Sequence, residues 1–489
     1  MAFVRRLATD VAFYGVLDVL QRAVSVLLVP VYTRVLSQQD FGNLDLIFTA
    51  CGLLQVVVDM QQTLGFMRFY PESLRNGTEK RFVGTNLLTR LALGAFIAAV
   101  FLGLGRAGYV EVNFVPSFAR WKAAWAVAAA TIPASLVTEL LLLQTRLVGS
   151  KRLFAVGSLG SVILSTALCV VLVVGFHWGL LGAVVGQSAA KVASAGVLLW
   201  GLRNRIAFEW DAAGIRRVLR HTLPIVPGYW LGSFSTHASR FFIFGEMGAA
   251  QAAILAVCLK VVSVIGLFSL SFRMAWQPLA MMNLDGNESG KQFSEAMRLF
   301  LIGGLLSVCA LAILARPVVS ILAPPSYAEA ARYVAFFAMA AIIGEIGVGL
   351  QLVNQVAGKT FWLSVGAILG TVVNIAALAL LMRSLGIRAV VLGALASSLV
   401  RMCLAYTTSQ ANYTVAYDAG AFLRFGLGCA LVGVMTVLDG RVGPVFSIGS
   451  FAATGVVLSW MSLTEHEKRL ALGLVGARWP DRGVKWRMR

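Results

Sequence analysis

Acidic residues are scarce in this chain. Of 489 residues only 22 are Asp or Glu, against 41 Lys or Arg, and charged residues of both signs make up 13% of the sequence. Hydrophobic residues make up 58%, well above the share in ordinary soluble domains. Apolar runs near the roughly 20-residue length of a membrane-spanning helix recur throughout and leave no stretch long enough for a soluble domain. The sequence therefore predicts a polytopic integral membrane protein.

Residues that hold metals or nucleotides are also few. The six cysteines form no CxxC pair and the four histidines are scattered, so small core residues are expected rather than a metal site. Gly358-Lys359-Thr360 is similar to the end of a phosphate-binding loop, but Val353 occupies the position where that loop requires glycine. ATP hydrolysis, metal chemistry and a bound cofactor are therefore not expected.

Positive charge occurs where it is costly, inside segments otherwise apolar enough to cross a bilayer. Each such cation costs roughly 2.5–3.5 kcal/mol at the bilayer centre, on the order of 20 kcal/mol for seven that face lipid. They are therefore expected to line an interior that receives an anionic cargo. The seven cations are Arg22, Arg68, Arg90, Lys191, Arg240, Lys260 and Arg401.

The hydropathy pattern predicts an all-α membrane protein with about fourteen transmembrane helices. Most of the basic residues outside the spans fall on the side shared by both termini, which predicts that both termini are cytoplasmic. Attraction to anionic headgroups accounts for the remaining basic bias, and nucleic acid is not an expected partner. The predicted spans are 8–34, 40–70, 82–105, 122–146, 151–176, 177–202, 218–244, 249–275, 293–315, 329–357, 360–383, 386–409, 421–438 and 443–463.

An internal repeat divides these helices. Arg34 and Gly42 are echoed by Arg240 and Gly248, and Phe66 to Pro71 by Phe272 to Pro278, at a common offset of about 206 residues. The prediction is two six-helix lobes, 1–202 and 218–409, joined by a basic cytoplasmic linker at 203–217. Residues 410–489 would add helices thirteen and fourteen and a basic tail. Paired repeats are typical of alternating-access transporters, whose cargo site lies between the repeats.

Polar residues follow helical spacing on the first two helices. On the first, a carboxylate, an amide, a guanidinium and a hydroxyl recur at i, i+3, i+4 and i+7 in Asp18, Gln21, Arg22 and Ser25. Asp18 and Arg22 form either a static ion pair or a pair that exchanges partners with cargo. The second helix carries a longer polar stripe, which indicates a cavity wall: Asp45, Thr49, Gly52, Gln55, Asp59 and Gln62.

The second half offers its own candidates. His237 and Arg240 share a face of the seventh helix, and Lys260 is central in the eighth. Arg240 and Lys260 are predicted cargo ligands, with snorkelling to the interface as the alternative for Arg240. Arg68 and Arg273 lie at helix ends and are predicted to form the entrance, whereas Arg90, Lys191 and Arg401 are undecided between cavity and interface. The candidate groups for coupling to H+ or Na+ are Asp18, Asp59, Glu139, His237 and Glu345.

Two motifs resemble a known family. Pro30-Val31-Tyr32-Thr33-Arg34-Val35-Leu36 with Asp40-Phe41-Gly42, and Leu223 to Gly228 with Ser239-Arg240-Phe241-Phe242 and Leu259-Lys260, resemble the signatures that open the two halves of polysaccharide-biosynthesis flippases. These form the Wzx-like branch of the multidrug/oligosaccharidyl-lipid/polysaccharide (MOP) exporter superfamily. The resemblance implies a V-shaped transporter in the bacterial inner membrane that moves an isoprenoid diphosphate-linked oligosaccharide to the outer leaflet, alongside other polysaccharide-assembly proteins.

The resemblance also implies roles for individual residues. Arg22, Arg240 and Lys260, with Arg34 and Gln21, would contact the diphosphate, and Tyr229 and Trp230 would face the sugars. The family often has an acid just before the arginine that corresponds to Arg240, and here Ser239 occupies that position. Arg240 is therefore expected to lack a local ion pair and to be free for cargo.

Three alternatives to this flippase remain at the level of the sequence. A cation-coupled multidrug or metabolite antiporter on the same fold would favour an acidic cavity, because drug exporters mostly take cationic cargo. The fourteen-helix plan is also similar to that of the lipid II flippases. An enzyme acting on the same lipid-linked sugar would need a sizeable outer loop and a nucleophile constellation, and neither is evident.

Overall fold

The computed structural model describes residues 2–109, 118–282, 289–356, 361–412, 414–438, 444–464 and 467–468. Within these ranges the chain is helical and has no strands. Twelve helical segments are long and apolar enough to cross a membrane. A helix satisfies its own backbone N–H and C=O groups, which a bilayer core cannot do. The predicted all-α, multi-pass membrane protein is confirmed.

The helices of the described ranges follow the predicted spans closely. In the first half they are α1 Ala2–Val35, α2 Gln38–Asp59, α3 Gln62–Arg75, α4 Glu79–Arg106, α5 Lys122–Ala130, α6 Ile132–Val148, α7 Lys151–Val170, α8 Gly179–Leu202 and α9 Ala212–Thr222. The remainder are α10 Val226–Met247, α11 Ala249–Val262, α12 Ile265–Met282, α13 Ser289–Leu322, α14 Ala331–Val356, α15 Phe361–Leu385, α16 Ile387–Asn412, α17 Ala419–Leu438 and α18 Pro444–Ser462.

The count of fourteen spans is not confirmed. The predicted spans 218–244 and 443–463 both form helices, α10 and α18, but neither is among the twelve segments. Helix α10 contains polar residues, with His237 and Arg240 on one face. Among the described residues, α18 forms a shorter apolar helix over 447–462.

The second predicted span, 40–70, is wrong as a single helix. Met60 and Gln61 have φ values of 43° and 56°, which places both in the left-handed region and separates α2 from α3. Left-handed backbone is unfavourable for residues with a Cβ, so the surrounding packing must hold this break. Asp59 therefore lies at a helix end and not within a continuous polar stripe.

The segment 203–217 is packed and is not a bare linker. The Ala207 amide donates to the Lys80 carbonyl at 3.0 Å, and the Thr85 hydroxyl donates to the Glu209 carbonyl at 2.9 Å. Helix α9 then buries Ile215 and Val218 in the hydrophobic core of the first lobe. This amphipathic arrangement leaves its arginines on the exposed face.

Contact between helices divides the chain into two compact units. The first comprises Met1–Pro278 with Ala315–Tyr413, and the second Leu279–Leu314 with Thr414–Arg489. The larger unit thus contains both predicted six-helix lobes apart from most of α13. In the smaller unit, α13 packs against α17 and α18, where Gly428 admits Leu305 and Gly455 admits Cys309.

An arginine clasp closes the smaller unit after α18. The Arg298 guanidinium donates to both carboxylate oxygens of Glu467, at 2.7 and 2.9 Å, and to the Ser462 carbonyl at 2.9 Å. Glu467 also accepts from the Thr464 amide at 2.7 Å while Thr464 accepts from the Glu467 amide, which is a capping box. The Arg298 hydrogen bonds lower the pKa of Glu467 from about 4.5 to about 2.

We expect Glu467→Gln to lower the free energy of unfolding in detergent at pH 7 by about 1.5–3 kcal/mol, because it removes a charged partner from Arg298. Because the pKa of Glu467 is lower in the folded protein than in the unfolded chain, the ionised Glu467 stabilises the fold above pH 4.5, and this contribution is lost as the pH falls towards 2. The difference from wild type should therefore shrink over that window in denaturation curves. Glu295→Gln, an exposed change on α13, should have less than about 1 kcal/mol of effect at any pH; a pH-independent Glu467 effect would contradict the clasp.

The two lobes of the larger unit meet in a seam at the end of α1 remote from the N-terminus. Thr33 donates to the Leu322 carbonyl at 2.7 Å, Arg34 to the Ile321 carbonyl at 2.9 Å and Gln38 to the Ser326 carbonyl at 2.8 Å. Beside them Gly42 of α2 lies directly on the Ala249 carbonyl at the start of α11, and a Cβ at Gly42 would overlap it. The seam closes this end of the unit.

Gly42→Ala should hold the seam open, since the added methyl meets backbone that cannot move aside. Gly52→Ala on the same helix is the matched control, because nothing lies within 4 Å of a Cβ there. In a chain whose native cysteines are replaced, a cysteine introduced at Thr49 should react faster with an impermeant maleimide in the Gly42 variant, when the reagent is added opposite the termini. Equal rates in the two variants would refute closure at Gly42.

Candidate functional site

A cavity of about 650 Å³ lies within the larger unit, and we call it the central cavity. Helices α1, α2, α7 and α8 of the first lobe and α10 and α11 of the second contribute to its wall. Its size is typical of small-molecule sites. Its polar lining residues are Arg22, Ser25, Tyr32, Asp45, Thr49, Ser161, Ser165, Gln187, Lys191, His237, Arg240, Lys260 and Ser263.

Helical spacing explains why these side chains face one space. Pairs three or four residues apart share a helix face, and the wall is built from such pairs. They are Arg22 with Ser25, Asp45 with Thr49, Ser161 with Ser165, Gln187 with Lys191, His237 with Arg240, and Lys260 with Ser263.

Positive charge predominates in the central cavity. Four cationic side chains line it, namely Arg22, Lys191, Arg240 and Lys260, against the single carboxylate of Asp45 among the lining residues. The structure thus brings together the three predicted diphosphate ligands and adds Lys191, which the sequence left undecided. Groups of like charge in a partly enclosed space of low dielectric constant attract an anion strongly.

Arg240 is not free, contrary to the expectation from Ser239. Its Nε lies 3.0 Å from Oδ2 of Asp45 on α2, in an ion pair that spans the two lobes. The distance places the charges together, although the angle is not that of a hydrogen bond. Nη1 of Arg240 also lies 3.2 Å from Nδ1 of His237. Asp45 belongs to the polar stripe of the second helix, and this stripe was the only feature of the sequence that placed Asp45 in a cavity wall.

Arg22 pairs with Asp18, as the i, i+4 spacing predicts, at 3.2 Å between Nε and Oδ2. Both side chains stay about 40% exposed, at 43% and 40%. Nη1 of Arg22 approaches Gly266 at the start of α12, so this first-lobe cation reaches the second lobe. Exposure and cross-lobe reach leave the Arg22 guanidinium accessible from the central cavity.

Four predicted ligands do not line the central cavity. Gln21 precedes Arg22 by one residue and is therefore turned about 100° away around α1. Arg34 lies in the seam, exposed on the protein surface. Tyr229 and Trp230 lie near the start of α10, about two turns before His237. Tyr229 lies instead within electrostatic range of Asp59 and Glu139.

Asp59 belongs to a second, buried cluster next to the α2–α3 break. Nη2 of Arg90 lies 2.8 Å from Oδ1 of Asp59, and the Arg90 side chain is 0% exposed. Thr63 accepts from Arg90 at 2.8 Å and donates to Asp59 at 3.2 Å and to Glu139 at 3.4 Å. The two carboxylates thus share the Thr63 hydroxyl, and Asp59 is paired with Arg90. Arg90 is in the interior of the first lobe and not at the membrane interface.

The remaining predicted residues lie elsewhere. Glu345 on α14 is 3.5 Å from Nη1 of Arg273 on α12, and Arg401 on α16 lies within electrostatic range of the same carboxylate. The stem of Arg401 packs against Gly370. Arg68 is exposed on α3, with its guanidinium 5.8 Å from the ring centre of Phe69. None of these residues lines the central cavity.

Both a family model and solved structures of membrane transporters match this chain. A model of the polysaccharide biosynthesis protein family matches residues 7–284, over half of the chain. A solved structure of the lipid II flippase MurJ, in an inward-closed conformation, superimposes with a TM-score of 0.71 at 10% identity, covering 96% of this chain and 100% of that chain. No curated protein sequence matches significantly.

Two further solved structures share the fold. A Pyrococcus furiosus transporter of the MOP superfamily, described as having a binding pocket of reverse polarity, gives a TM-score of 0.60 at 12% identity over 82% of this chain and 95% of its own. A mutant of the Vibrio cholerae MATE transporter VcmN gives 0.58 at 15% identity over 85% and 99%.

The protein therefore has the fold of the MOP transporters. It is a multi-pass membrane protein with a cationic cavity between its two lobes. The chain belongs to the polysaccharide biosynthesis protein family. The family expected from the two motifs is confirmed.

The Asp59–Arg90 pair should matter more for stability than the Asp18–Arg22 pair. Asp59→Ala leaves a fully buried guanidinium without its counter-ion, and removing one partner of a buried pair costs about 3–5 kcal/mol. Asp18→Ala exposes a cation that water already reaches, with an expected cost below about 1 kcal/mol. Denaturation of the two purified variants in detergent tests the difference. Equal costs would mean that Arg90 is solvated in the folded protein.

Proposed function

We propose that this protein is a flippase that moves an undecaprenyl diphosphate-linked oligosaccharide across the bacterial inner membrane by alternating access, for cell-surface polysaccharide biosynthesis. The excess of cationic side chains in the central cavity is the observation that supports it most strongly. A diphosphate is at least doubly anionic. Its transfer into a bilayer is prohibitive unless fixed cations replace its water.

The cavity provides such cations without an equal number of acids. Arg22, Arg240 and Lys260 would bind the diphosphate, while the isoprenoid tail remains in lipid. Arg240 is held by Asp45 before cargo arrives. We infer that the diphosphate displaces Asp45 from Arg240, so that the ion pair is exchanged and the guanidinium is never left unpaired. Such an exchange limits the cost of keeping a charge within the membrane.

The closed seam supports an alternating-access cycle. With Thr33, Arg34 and Gly42 packed on the second lobe, the central cavity is sealed at the end remote from the N-terminus. We propose that both termini are cytoplasmic, so that this arrangement accepts cargo from the cytoplasmic leaflet. Opening of the seam would release the head group on the other side.

A multidrug antiporter is the second candidate, favoured only by the shared MATE fold. Its usual cationic cargo would be repelled by four lining cations, so we rank it lower. A lipid II flippase would use the same diphosphate chemistry, but the family match is to polysaccharide biosynthesis proteins. We propose H+ or Na+ as the coupling ion. Glu139, which shares Thr63 with Asp59 but has no arginine within ion-pair distance in the described structure, is the leading coupling candidate.

Charge reversal tests the function. In a strain lacking the gene, a diphosphate-linked oligosaccharide should accumulate on the cytoplasmic leaflet. Wild type should clear it, whereas Arg240→Glu and Lys260→Glu should reduce clearance by at least 100-fold, because each replaces an attraction for the diphosphate by a repulsion. Lys291→Glu, an exposed reversal on α13, is the control. Full complementation by both cavity variants would exclude the cationic-cavity mechanism.

Asp45→Asn separates partner exchange from simple attraction. If the diphosphate displaces Asp45, this variant should bind cargo more tightly and release it more slowly, so both the apparent KM and kcat for flipping should fall. A raised KM would instead show that Asp45 only positions Arg240.

A further inference from the structure

The wall of the central cavity formed by α7 and α8 differs in chemistry from the wall that holds Arg240 and Lys260. Ser161 and Ser165 of α7 and Gln187 of α8 line it, and we call these three residues the hydroxyl–amide wall. Tyr32 of α1 accepts a hydrogen bond from Nε2 of Gln187 at 3.1 Å and donates to Sγ of Cys169 at 3.1 Å. These two hydrogen bonds hold the Gln187 amide in a defined orientation within a polar wall.

Lys191 lies on the same helix face as Gln187, one turn further along α8, and also lines the cavity. Unlike Arg22 and Arg240, it forms no ion pair with any carboxylate of the described residues. The Cys51 thiol of α2 lies within electrostatic range of Lys191. Lys191 is therefore a cation in the cavity wall that has no counter-ion among the described residues.

Lys191 is also set apart from the predicted diphosphate ligands. Arg240 meets α2 at Asp45, and Lys191 meets the same helix at Cys51. Six residues of α helix correspond to about 9 Å along the axis. The phosphorus atoms of one diphosphate lie closer together than this spacing along α2, so a second anionic group on the cargo would suit Lys191.

We propose that the hydroxyl–amide wall and Lys191 form a sugar subsite that selects a glycan bearing a carboxylate, such as a uronic acid, near its diphosphate end. This inference rests on the proposed flippase function and names the class of glycan. Hydroxyl and amide side chains are suited to the hydroxyls of a pyranose ring, since each can donate and accept. A carboxylate beside them supplies the counter-ion that Lys191 lacks, in a charge-assisted hydrogen bond.

Two cargoes that differ in one group test the proposal in proteoliposomes. Both are undecaprenyl diphosphate-linked disaccharides, one ending in glucuronic acid and the other in glucose, and flipping is followed by the access of an added oxidant to the sugar. Wild type should prefer the acidic cargo. Lys191→Met, which keeps the length of the side chain but removes its charge, should slow the acidic cargo about 10- to 100-fold, as expected for loss of a hydrogen bond between charged groups.

Lys191→Met should slow the neutral cargo much less than the acidic one, and Lys191→Arg should preserve the preference for acid. Lys291→Met, the same substitution on the exposed surface of α13, controls for loss of a positive charge. The proposal is overturned if Lys191→Met flips both cargoes at the wild-type rates or slows both equally. Equal slowing would show that Lys191 contacts the diphosphate. If wild type flips neither disaccharide, the flippase function itself fails, and the subsite with it.

Discussion

The cost of placing charge in a bilayer governs this structure. Four intramembrane arginines that the structure describes lie within ion-pair distance of a carboxylate, namely Arg22, Arg90, Arg240 and Arg273, and three of these pairs join different helices. Arg90 meets Asp59 between α4 and α2, Arg240 meets Asp45 between α10 and α2, and Arg273 meets Glu345 between α12 and α14. These pairs offset desolvation only when their geometry is maintained. The packing of helices is therefore tied to the charge arrangement.

The central cavity lies where cationic side chains are not matched by an equal number of carboxylates. The Asp59–Arg90 pair is buried within the first lobe, whereas the cations that line the central cavity outnumber the single carboxylate among its lining residues. The proposed anionic head group would complete that balance. Displacement of Asp45 from Arg240 would also connect cargo binding to lobe movement, because it would loosen a contact between the lobes on the same helix as Gly42.

Patterns within one helix were predictable and those between helices were not. The i, i+4 spacing identifies the Asp18–Arg22 pair, since three or four residues bring side chains to one face. No spacing rule relates Arg240 to Asp45, 195 positions earlier, and the absence of an acid at Ser239 suggested a free arginine. Tyr229 and Trp230 show that residue type alone does not place a side chain in a site. Aromatic side chains suit contacts with sugars, but these two lie too near the start of α10 to line the central cavity.

The sequence by itself determined that the chain is an all-helical membrane protein with an excess of intramembrane cations, because hydropathy, length and charge act locally along a helix. It also predicted that Arg22, on the polar face of the first helix, and Arg240 and Lys260, in the motif of the second half, belong to one site, and all three line the central cavity. Only the tertiary structure decided which cations are paired with carboxylates. Compensation depends on distances of 3 to 4 Å between helices far apart in sequence, and these distances placed Arg90 in the buried core and Lys191 in the cavity wall.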